Sequence, residues 1–299
     1  MAYFIQIAFA GIALGCIYAL IGMGFSIIYK ASEVINFAQG EILLVGAYIV
    51  SSLVFDWHLN FILAVALGVV VTVLIGLLFE RLVLRRMIGR PVFSILMITI
   101  GLDTILRTAV IVKAGSNPLS PPSPYTITDG FNIAGVHFGA NDILTILVTV
   151  VLCALLYYFF QYTRNGLAMR ATALDQEAAL AVGINIRTVY ALAWGIAAAV
   201  ATIGGVFLAM GTFSIGITLG SAALLAFPAI ILGGVDSIAG AVVGGIIIGL
   251  VQDLTAGYES HVANVLGAGI HQITPYLVMI LVLLIRPYGL FGTRKVERI

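Results

Sequence analysis

Charged residues are scarce in this chain of 299 residues, because Asp, Glu, Lys and Arg together make up only 9% of it. A soluble domain carries roughly 25% charged residues, so most of this chain cannot present a surface to water. Hydrophobic residues make up 62% and the mean hydropathy is +1.16. We therefore expect a lipid bilayer as the surroundings. The net charge of +1 argues against a nucleic-acid partner.

Cysteine and catalytic patterns are also missing. The two cysteines, Cys16 and Cys153, each lie within an apolar run, which suggests packing residues rather than a disulfide framework or a metal site. The sequence contains no G-x-x-x-x-G-K-[ST] phosphate loop and no Ser-His-Asp or Cys-His constellation. We predict no catalytic residues, no metal site and no cofactor in this chain.

Long apolar runs account for most of the sequence. A transmembrane helix needs about 20 apolar residues. Thirty-three glycines suit close helix packing in a bilayer. The sequence predicts an all-α polytopic integral membrane protein with eight or nine transmembrane helices, where eight would leave one short segment re-entrant. The runs lie at about 5–29, 42–55, 61–84, 92–112, 143–160, 189–210, 222–232, 238–251 and 275–285.

The basic residues orient these spans through the positive-inside rule. Lys30, the cluster from Arg81 to Arg90 and the residues from Arg286 onwards are predicted to be cytoplasmic. The segment 114–141 contains no Lys or Arg and four of the eight prolines, so we predict a periplasmic loop there. Nine crossings with the N-terminus outside fit every basic cluster.

The loop 164–188 carries a charged, helix-like stretch between two spans, RATALDQEAALAVGINIR at 170–187. The pattern predicts one cytoplasmic helix whose small and apolar positions share a face. Gly183 can end that helix as a left-handed cap, and Asn185 can cap the next helix at Ile186. A plain solvated loop helix is the alternative. The shared face contains Leu167, Ala171, Leu174, Ala178 and Ala181.

Two apolar runs are interrupted at corresponding places near the two ends of the chain, by INFAQGE at 35–41 and by LGGVDSIAG at 232–240. Transporters often place the substrate path at such broken segments, although two ordinary tight turns would give the same pattern. The residues predicted to line or shape a path are Asn36, Gln39, Glu41, Gly234, Asp236 and Ser237.

One further pair of charges lies inside a span. Asp103 and Arg107 are four residues apart and therefore share a helix face. Charges near the bilayer centre are costly, so the two side chains are expected to pair. We interpret them as a structural ion pair, with a direct substrate contact as the alternative.

Several blocks together resemble the H-type permease of the branched-chain amino acid ABC importers. The resemblance covers nearly the full length and implies one permease domain, 1–299, with the ABC importer permease fold in the bacterial inner membrane. It also implies a second related permease, two cytoplasmic ATPase subunits that hold ATP and Mg, and a periplasmic solute-binding protein. The blocks are GCIYALIGMGFSIIYKASEVINFAQGEILLVGAY at 15–48, FERLVLRR at 79–86, MRATALDQEAALAVGIN at 169–185, AFPAIILGGVDSIAGAVVGGIIIGLVQDL at 226–254 and RPYGLFG at 286–292.

The same resemblance assigns a role to the cytoplasmic loop. Its E-A-A-x-x-x-G spacing resembles the coupling loop of ABC importer permeases, which docks into a groove on an ATPase, although the longer Ile and Pro continuation is missing. The implied ATPase-coupling residues are Arg170, Asp175, Glu177, Ala178, Ala179 and Gly183.

The implied function is transport of branched-chain or related amino acids, driven by ATP hydrolysis on separate subunits. Three positions depart from the family pattern: Gln39, Leu225 and Gln252 stand where members often have His, Lys and Glu. Two alternatives therefore stay open, an ion-gradient-driven secondary transporter and an ABC permease for another small polar solute such as urea or short amides. The sequence does not decide between a hetero- and a homodimeric permease pair.

Overall fold

The computed structural model describes residues 2–87, 90–115, 119, 123–125, 129–133, 135–211, 214–266 and 269–293. Most of these residues are α-helical. The helices are Ala2–Ser32 (α1), Gln39–Phe55 (α2), Phe61–Leu82 (α3), Val92–Ala114 (α4), Ala140–Tyr162 (α5), Arg164–Leu174 (α6), Gln176–Ala181 (α7), Ile186–Met210 (α8), Ile217–Ala222 (α9), Phe227–Gly233 (α10), Ile238–Leu266 (α11) and Ile270–Ile285 (α12). Two strands, Gly130–Ile133 (β1) and Val136–Gly139 (β2), form an antiparallel hairpin.

Six helical segments of the described residues are long and apolar enough to cross a membrane, and they belong to α1, α3, α4, α5, α8 and α11. Three shorter apolar stretches accompany them: Gln39–Phe55, Thr218–Gly233 and Ile270–Ile285. The chain is therefore a multi-pass helical membrane protein, as its composition predicts.

The chain forms two compact units. The first unit contains 1–26, 125–149 and 224–299, and the second contains 27–124 and 150–223. Helices α1 and α5 each run from one unit into the other.

In the first unit, glycines allow the backbones of α1 and α11 to touch. A Cβ atom on Gly15 would lie only 2.6 Å from the Cα of Ile246, and one on Gly245 would lie 2.6 Å from the backbone nitrogen of Ala19. Later residues of α1 contact earlier residues of α11, so the two helices are antiparallel. Close approach of this kind requires small residues in membrane helices.

The C-terminal stretch of the first unit packs against the end of α10. The amide of Leu290 donates to the Leu232 carbonyl at 2.8 Å, and the amide of Phe291 donates to the Gly233 carbonyl at 3.0 Å. Because these bonds place the end of α10 beside the end of α12, the two helices reach the same face of the unit.

In the second unit, helix α8 is the most deeply buried of the candidate spans. Its Thr202 hydroxyl lies 2.6 Å from the Thr72 hydroxyl of α3, in a buried hydrogen bond. A Cβ atom on Gly46 of α2 would lie 2.6 Å from that same Thr202 oxygen. Thr202 therefore marks the point where α2, α3 and α8 meet.

Three sequence-based expectations are wrong in detail. The single helix predicted across 170–181 is two helices, because Asp175 adopts an extended conformation (φ −159°, ψ 110°) and starts α7. The predicted short run 238–251 belongs to a helix that extends to Leu266, and Gln252, just beyond that run, accepts a hydrogen bond from the Tyr18 hydroxyl. The all-α expectation misses the hairpin, whose turn uses the positive φ of Gly135 (79°).

Candidate transport path and coupling element

Each helix of the loop 164–188 begins at a side-chain cap. The Thr163 hydroxyl accepts from the Gly166 amide at 3.0 Å and starts α6, and the Asp175 carboxylate accepts from the Ala178 amide at 2.9 Å and starts α7. Such caps satisfy amides that have no partner within the helix. Gly183 has φ of 86° after α7, as the sequence predicts for a left-handed cap.

The next span starts as predicted. The Asn185 side chain accepts from the Arg187 amide at 3.1 Å, which caps α8 where the sequence places its start. The whole link between α5 and α8 is therefore an ordered pair of short helices.

Helix α7 is tied to two neighbouring segments through one side chain. The Gln176 amide donates to the Ala31 carbonyl in the last turn of α1 at 3.2 Å and to the Tyr190 hydroxyl of α8 at 3.3 Å. Ala179 is buried against the chain, whereas Ala178 and Glu177 are exposed. One side of α7 therefore holds it in place and the other side is free for a partner.

Large apolar side chains flank α7 on its exposed side. Leu174 is 90% exposed and Val182 is 77% exposed. Both lie outside the membrane-length helices. These two side chains are therefore available for contact with a partner. The Arg170 guanidinium donates to Gln161 at 3.3 Å, and its role in coupling stays a prediction.

The three path candidates near the start of the chain lie together in the second unit. Asn36, Gln39 and Glu41 are all completely buried. The Gln39 amide donates to the Ala197 carbonyl of α8 at 3.2 Å, and the Asn36 amide donates to the Gln39 side-chain oxygen at 3.4 Å. They surround the start of α2, where the backbone between α1 and α2 is not helical.

Glu41 has a cationic partner on α4. Its Oε1 accepts from Arg107 Nη2 at 2.7 Å and from Arg107 Nε at 2.9 Å. Asp103 Oδ2 lies 3.6 Å from the same Nη2. Asp103 and Arg107 are thus in contact, and their purely structural role stays a prediction. The shorter bonds join Arg107 to Glu41 rather than to Asp103.

The other three path candidates lie in a turn of the first unit. The Asp236 carboxylate accepts from the Thr293 amide at 3.2 Å and from the Thr293 hydroxyl. The Ser237 hydroxyl accepts from the Gly240 amide at 3.0 Å near the start of α11. Gly234 has φ of 105°, and a Cβ atom there would lie 2.5 Å from the Gly292 nitrogen. These contacts hold the turn against the C-terminal stretch, and its part in a path stays a prediction.

A cavity of about 410 Å³ in the second unit connects the coupling loop with the path candidates. Its lining includes Asp175, Gln176 and Glu177 at the exposed end, and the buried side chains of Asn36 and Thr99. The lining is amphiphilic, because apolar side chains from α1, α4, α6, α8 and the links that follow α1 and α3 share it with these polar groups. The apolar members are Ile28, Val34, Leu84, Val92, Ile95, Ala173, Leu174 and Trp194.

Sequence reasoning missed two contributors to this region. It did not identify Thr99, whose hydroxyl accepts from the Phe37 amide at 3.3 Å. It also did not pair Glu41 with Arg107, which lies 66 residues away. The signal for that pair was that Glu41 and Arg107 are both ionisable residues in apolar segments, where a partner is expected.

Membrane-length helices, a cavity that ends at buried polar side chains and a short helix fixed at its mouth define a multi-pass membrane permease. Residues 7–285 match the model of the family described as branched-chain amino acid transport system, permease component. The chain belongs to this family. It is accordingly the permease component of an ABC transporter, works in a complex with other ABC subunits, and is not itself an enzyme.

Curated relatives support the same conclusion over nearly the full length. The chain is 33% identical to the high-affinity branched-chain amino acid transport system permease protein LivH of Escherichia coli (strain K12), covering 99% of this chain and 98% of that protein. It is 31% identical to the permease protein BraD of Pseudomonas aeruginosa, with the same coverage. The resemblance seen in the sequence blocks is thereby confirmed.

A solved structure also shares the fold. PsaBC from Streptococcus pneumoniae in complex with Fab is similar with a TM-score of 0.52 over 97% of this chain and 94% of that chain. The two sequences are 14% identical, so the similarity concerns the fold alone.

Proposed function

We propose that this chain forms part of the path by which branched-chain amino acids enter a bacterial cell across the inner membrane. The whole chain, 1–299, acts as one permease domain beside a second related permease. Two cytoplasmic ATPase subunits hold ATP and Mg and drive transport. A periplasmic solute-binding protein delivers the amino acid.

The observation that carries this proposal is the cavity between α7 and the start of α2. Its aliphatic and aromatic wall suits a branched hydrocarbon side chain, and buried polar groups such as Asn36 and Thr99 suit the head group. A weak site is sufficient here, because the binding protein selects the solute and a tight site would slow its release.

The coupling loop is proposed to receive the ATPase. Leu174 and Val182 offer apolar contacts, and the exposed residues of α7 around Glu177 and Ala178 offer a polar face. Because Gln176 ties α7 to α1 and α8, a displacement of α7 changes the walls of the cavity. In this proposal Arg170, Asp175 and Gly183 fix the geometry of the loop, and buried Ala179 seats α7 on the chain.

Nine crossings with the N-terminus outside are proposed, with α9 and α10 together making the seventh. Three contacts support the helix directions. Helices α1 and α11 are antiparallel, and α10 and α12 end at the same face. Helices α2 and α4 run in the same direction, because Thr99 contacts Phe37 and, further along both segments, Arg107 contacts Glu41. Together with the positive-inside rule, these directions support the proposed periplasmic loop at 114–141 and cytoplasmic loop at 164–188.

Transport by the reconstituted complex tests the proposal. The permease pair and ATPases are placed in proteoliposomes, and uptake of radiolabelled leucine is measured with the binding protein outside and ATP inside. We expect uptake that requires ATP. Uptake of urea without leucine would contradict the proposed substrate, and uptake driven by an ion gradient without ATP would contradict the proposed mechanism.

The path itself is tested by labelling. Single cysteines replace Asn36, Gln39 or Ser237 in a variant without Cys16 and Cys153. We expect a small water-soluble thiol reagent to react with each cysteine and the transported solute to slow that reaction. If all three stay unreactive in a complex that still transports, these residues do not line the path.

A further inference from the structure

The charges around Arg107 do not balance. Glu41 and Asp103 supply two carboxylates, and Arg107 supplies one guanidinium. Both short bonds of Arg107 go to Glu41, at 2.7 and 2.9 Å, whereas Asp103 lies 3.6 Å away. Among the described residues, Arg107 is the one cation within ion-pair distance of Asp103. Asp103 is therefore left with a carboxylate that its neighbour neutralises only in part.

The position of Asp103 makes this imbalance unfavourable in lipid. Asp103 is at the centre of α4, and its side chain is 25% exposed. Away from their cytoplasmic ends, where Arg81 and Gln161 lie, the large exposed side chains of α3 and α5 are apolar or aromatic, as lipid requires. The exposed residues of α4 beside Asp103 are mixed, with Thr104 and Thr108 polar and Ile100 and Ile105 apolar. A charge at such a position is costly in lipid and is expected to face a partner or a water-filled path.

The register of α4 connects Asp103 with the cavity. Helix α4 contributes Val92, Ile95 and Thr99 to the cavity wall, at spacings of three and four residues. The next position on the same helix face is Asp103, one turn beyond Thr99 and about 6 Å further along the axis. Asp103 does not line the cavity itself, but a solute that passed beyond Thr99 along this face of α4 would meet Asp103 next.

We propose that Asp103 binds the α-ammonium group of the transported amino acid. This inference rests on the proposed function and names the head-group contact within the same path. Arg107, which Glu41 holds in place and which is 38% exposed, stands beside it for the α-carboxylate. A zwitterion has a cation and an anion close together, so an adjacent carboxylate and guanidinium match its head group.

Charge rescue at position 103 tests this proposal. Asp103→Cys is made in the variant without Cys16 and Cys153, and the complex is reconstituted for leucine uptake. The substitution should lower uptake per folded complex roughly tenfold, the effect of losing one hydrogen bond to a charged group. Sulfonatoethyl methanethiosulfonate, which returns a negative charge, should restore most of the uptake, and trimethylammonium-ethyl methanethiosulfonate should not.

Thr104→Cys is the matched control, since it is the next residue along α4 and is more exposed than Asp103. It should respond alike to both reagents. Asp103→Asn, which keeps the size of the side chain, should insert and assemble at the wild-type level while it lowers uptake. A loss of folded protein without a loss of uptake per molecule would assign Asp103 to structure and overturn the proposal.

Two further outcomes would overturn it. One is a cysteine at 103 that neither reagent modifies in a transporting complex, and the other is uptake that does not depend on the sign of the added charge. The wild-type complex is measured beside every variant. Wild-type complex that takes up no leucine would overturn the proposed function and this inference with it. Normal wild-type uptake with a charge-insensitive position 103 would overturn only this inference.

Discussion

The pair of Glu41 and Arg107 gives the sharpest test of the packing of the second unit. It joins α2 to α4 across 66 residues of sequence. We consider three variants: Glu41→Gln, which is nearly isosteric, Arg107→Met, which removes the guanidinium and keeps an apolar chain, and the double variant. Each removes a different part of the same interaction.

The exposure of the two side chains decides which substitution costs more. Arg107→Met leaves the fully buried Glu41 carboxylate without a partner, and removal of one member of a buried pair costs about 3–5 kcal/mol. Glu41→Gln leaves a guanidinium that is 38% exposed and still near Asp103, so a loss of about 1–3 kcal/mol is expected. The double variant leaves no buried charge and should be more stable than Arg107→Met alone.

Thermal unfolding of the purified complex in detergent measures this order. Glu80→Gln is the control. Glu80 is 1% exposed and pairs at 3.2 Å with Arg85, whose side chain is 34% exposed. The two residues are only five positions apart at the end of α3, so this pair does not join separate helices. Loss of this carboxylate leaves a guanidinium that is 34% exposed, so a cost of about 1–3 kcal/mol is expected, as for Glu41→Gln and below that of Arg107→Met. The reasoning is refuted if the double variant equals the sum of the single effects, or if Arg107→Met is no worse than this control.

Three other predictions follow from the coupling loop, the topology and the helix packing. Gly183→Val, at φ of 86°, and Ala178→Trp, on the exposed side of α7, should insert normally. Both variants should lose ATP-driven uptake and should lose the ATPase subunits on detergent extraction. Wild-type uptake and wild-type ATPase retention in both variants would show that this loop is passive. Reporters fused at Ser123 and Gln176 should lie on opposite sides of the membrane, and the same side for both would overturn the topology. Gly245→Val should sharply reduce the folded protein in a detergent monodispersity assay, because its Cβ would clash with the α1 backbone; a normal yield would contradict that packing.

Membrane helices could be predicted closely from the sequence because their length has a physical minimum. The predicted span 61–84 corresponds to Phe61–Leu82, and the predicted span 92–112 corresponds to Val92–Ala114. Caps with local chemistry were equally predictable, since Gly183 and Asn185 act on their own backbone neighbours.

Features that depend on competing local signals were missed. The apolar stripe continues across Asp175, so periodicity alone indicates one helix, whereas the capping bond of that carboxylate ends the first helix and starts another. The better signal was an Asp directly before Gln176 and Glu177 at a helix start.

Contacts between distant residues were beyond the reach of spacing arguments. The four-residue spacing reveals that Asp103 and Arg107 share a face, but it gives no information about Glu41 on another helix. The predicted path residues show the same limit. Spacing placed Asn36 and Gln39 together correctly, yet only the fold shows that Thr99 joins Asn36 in the lining of the cavity.

The glycine contact between α1 and α11 has a consequence for synthesis. Tyr18 of α1 donates to Gln252 of α11 at 2.8 Å, and 234 residues separate them in the chain. Helix α1 is therefore inserted into the bilayer long before α11 is synthesised. Contacts of such large sequence separation form late. During that interval the bare backbone around Gly15 is open to other helices or to quality-control proteases. A stalled chain that ends before α11 should consequently be degraded rapidly, even though its earlier spans are already inserted.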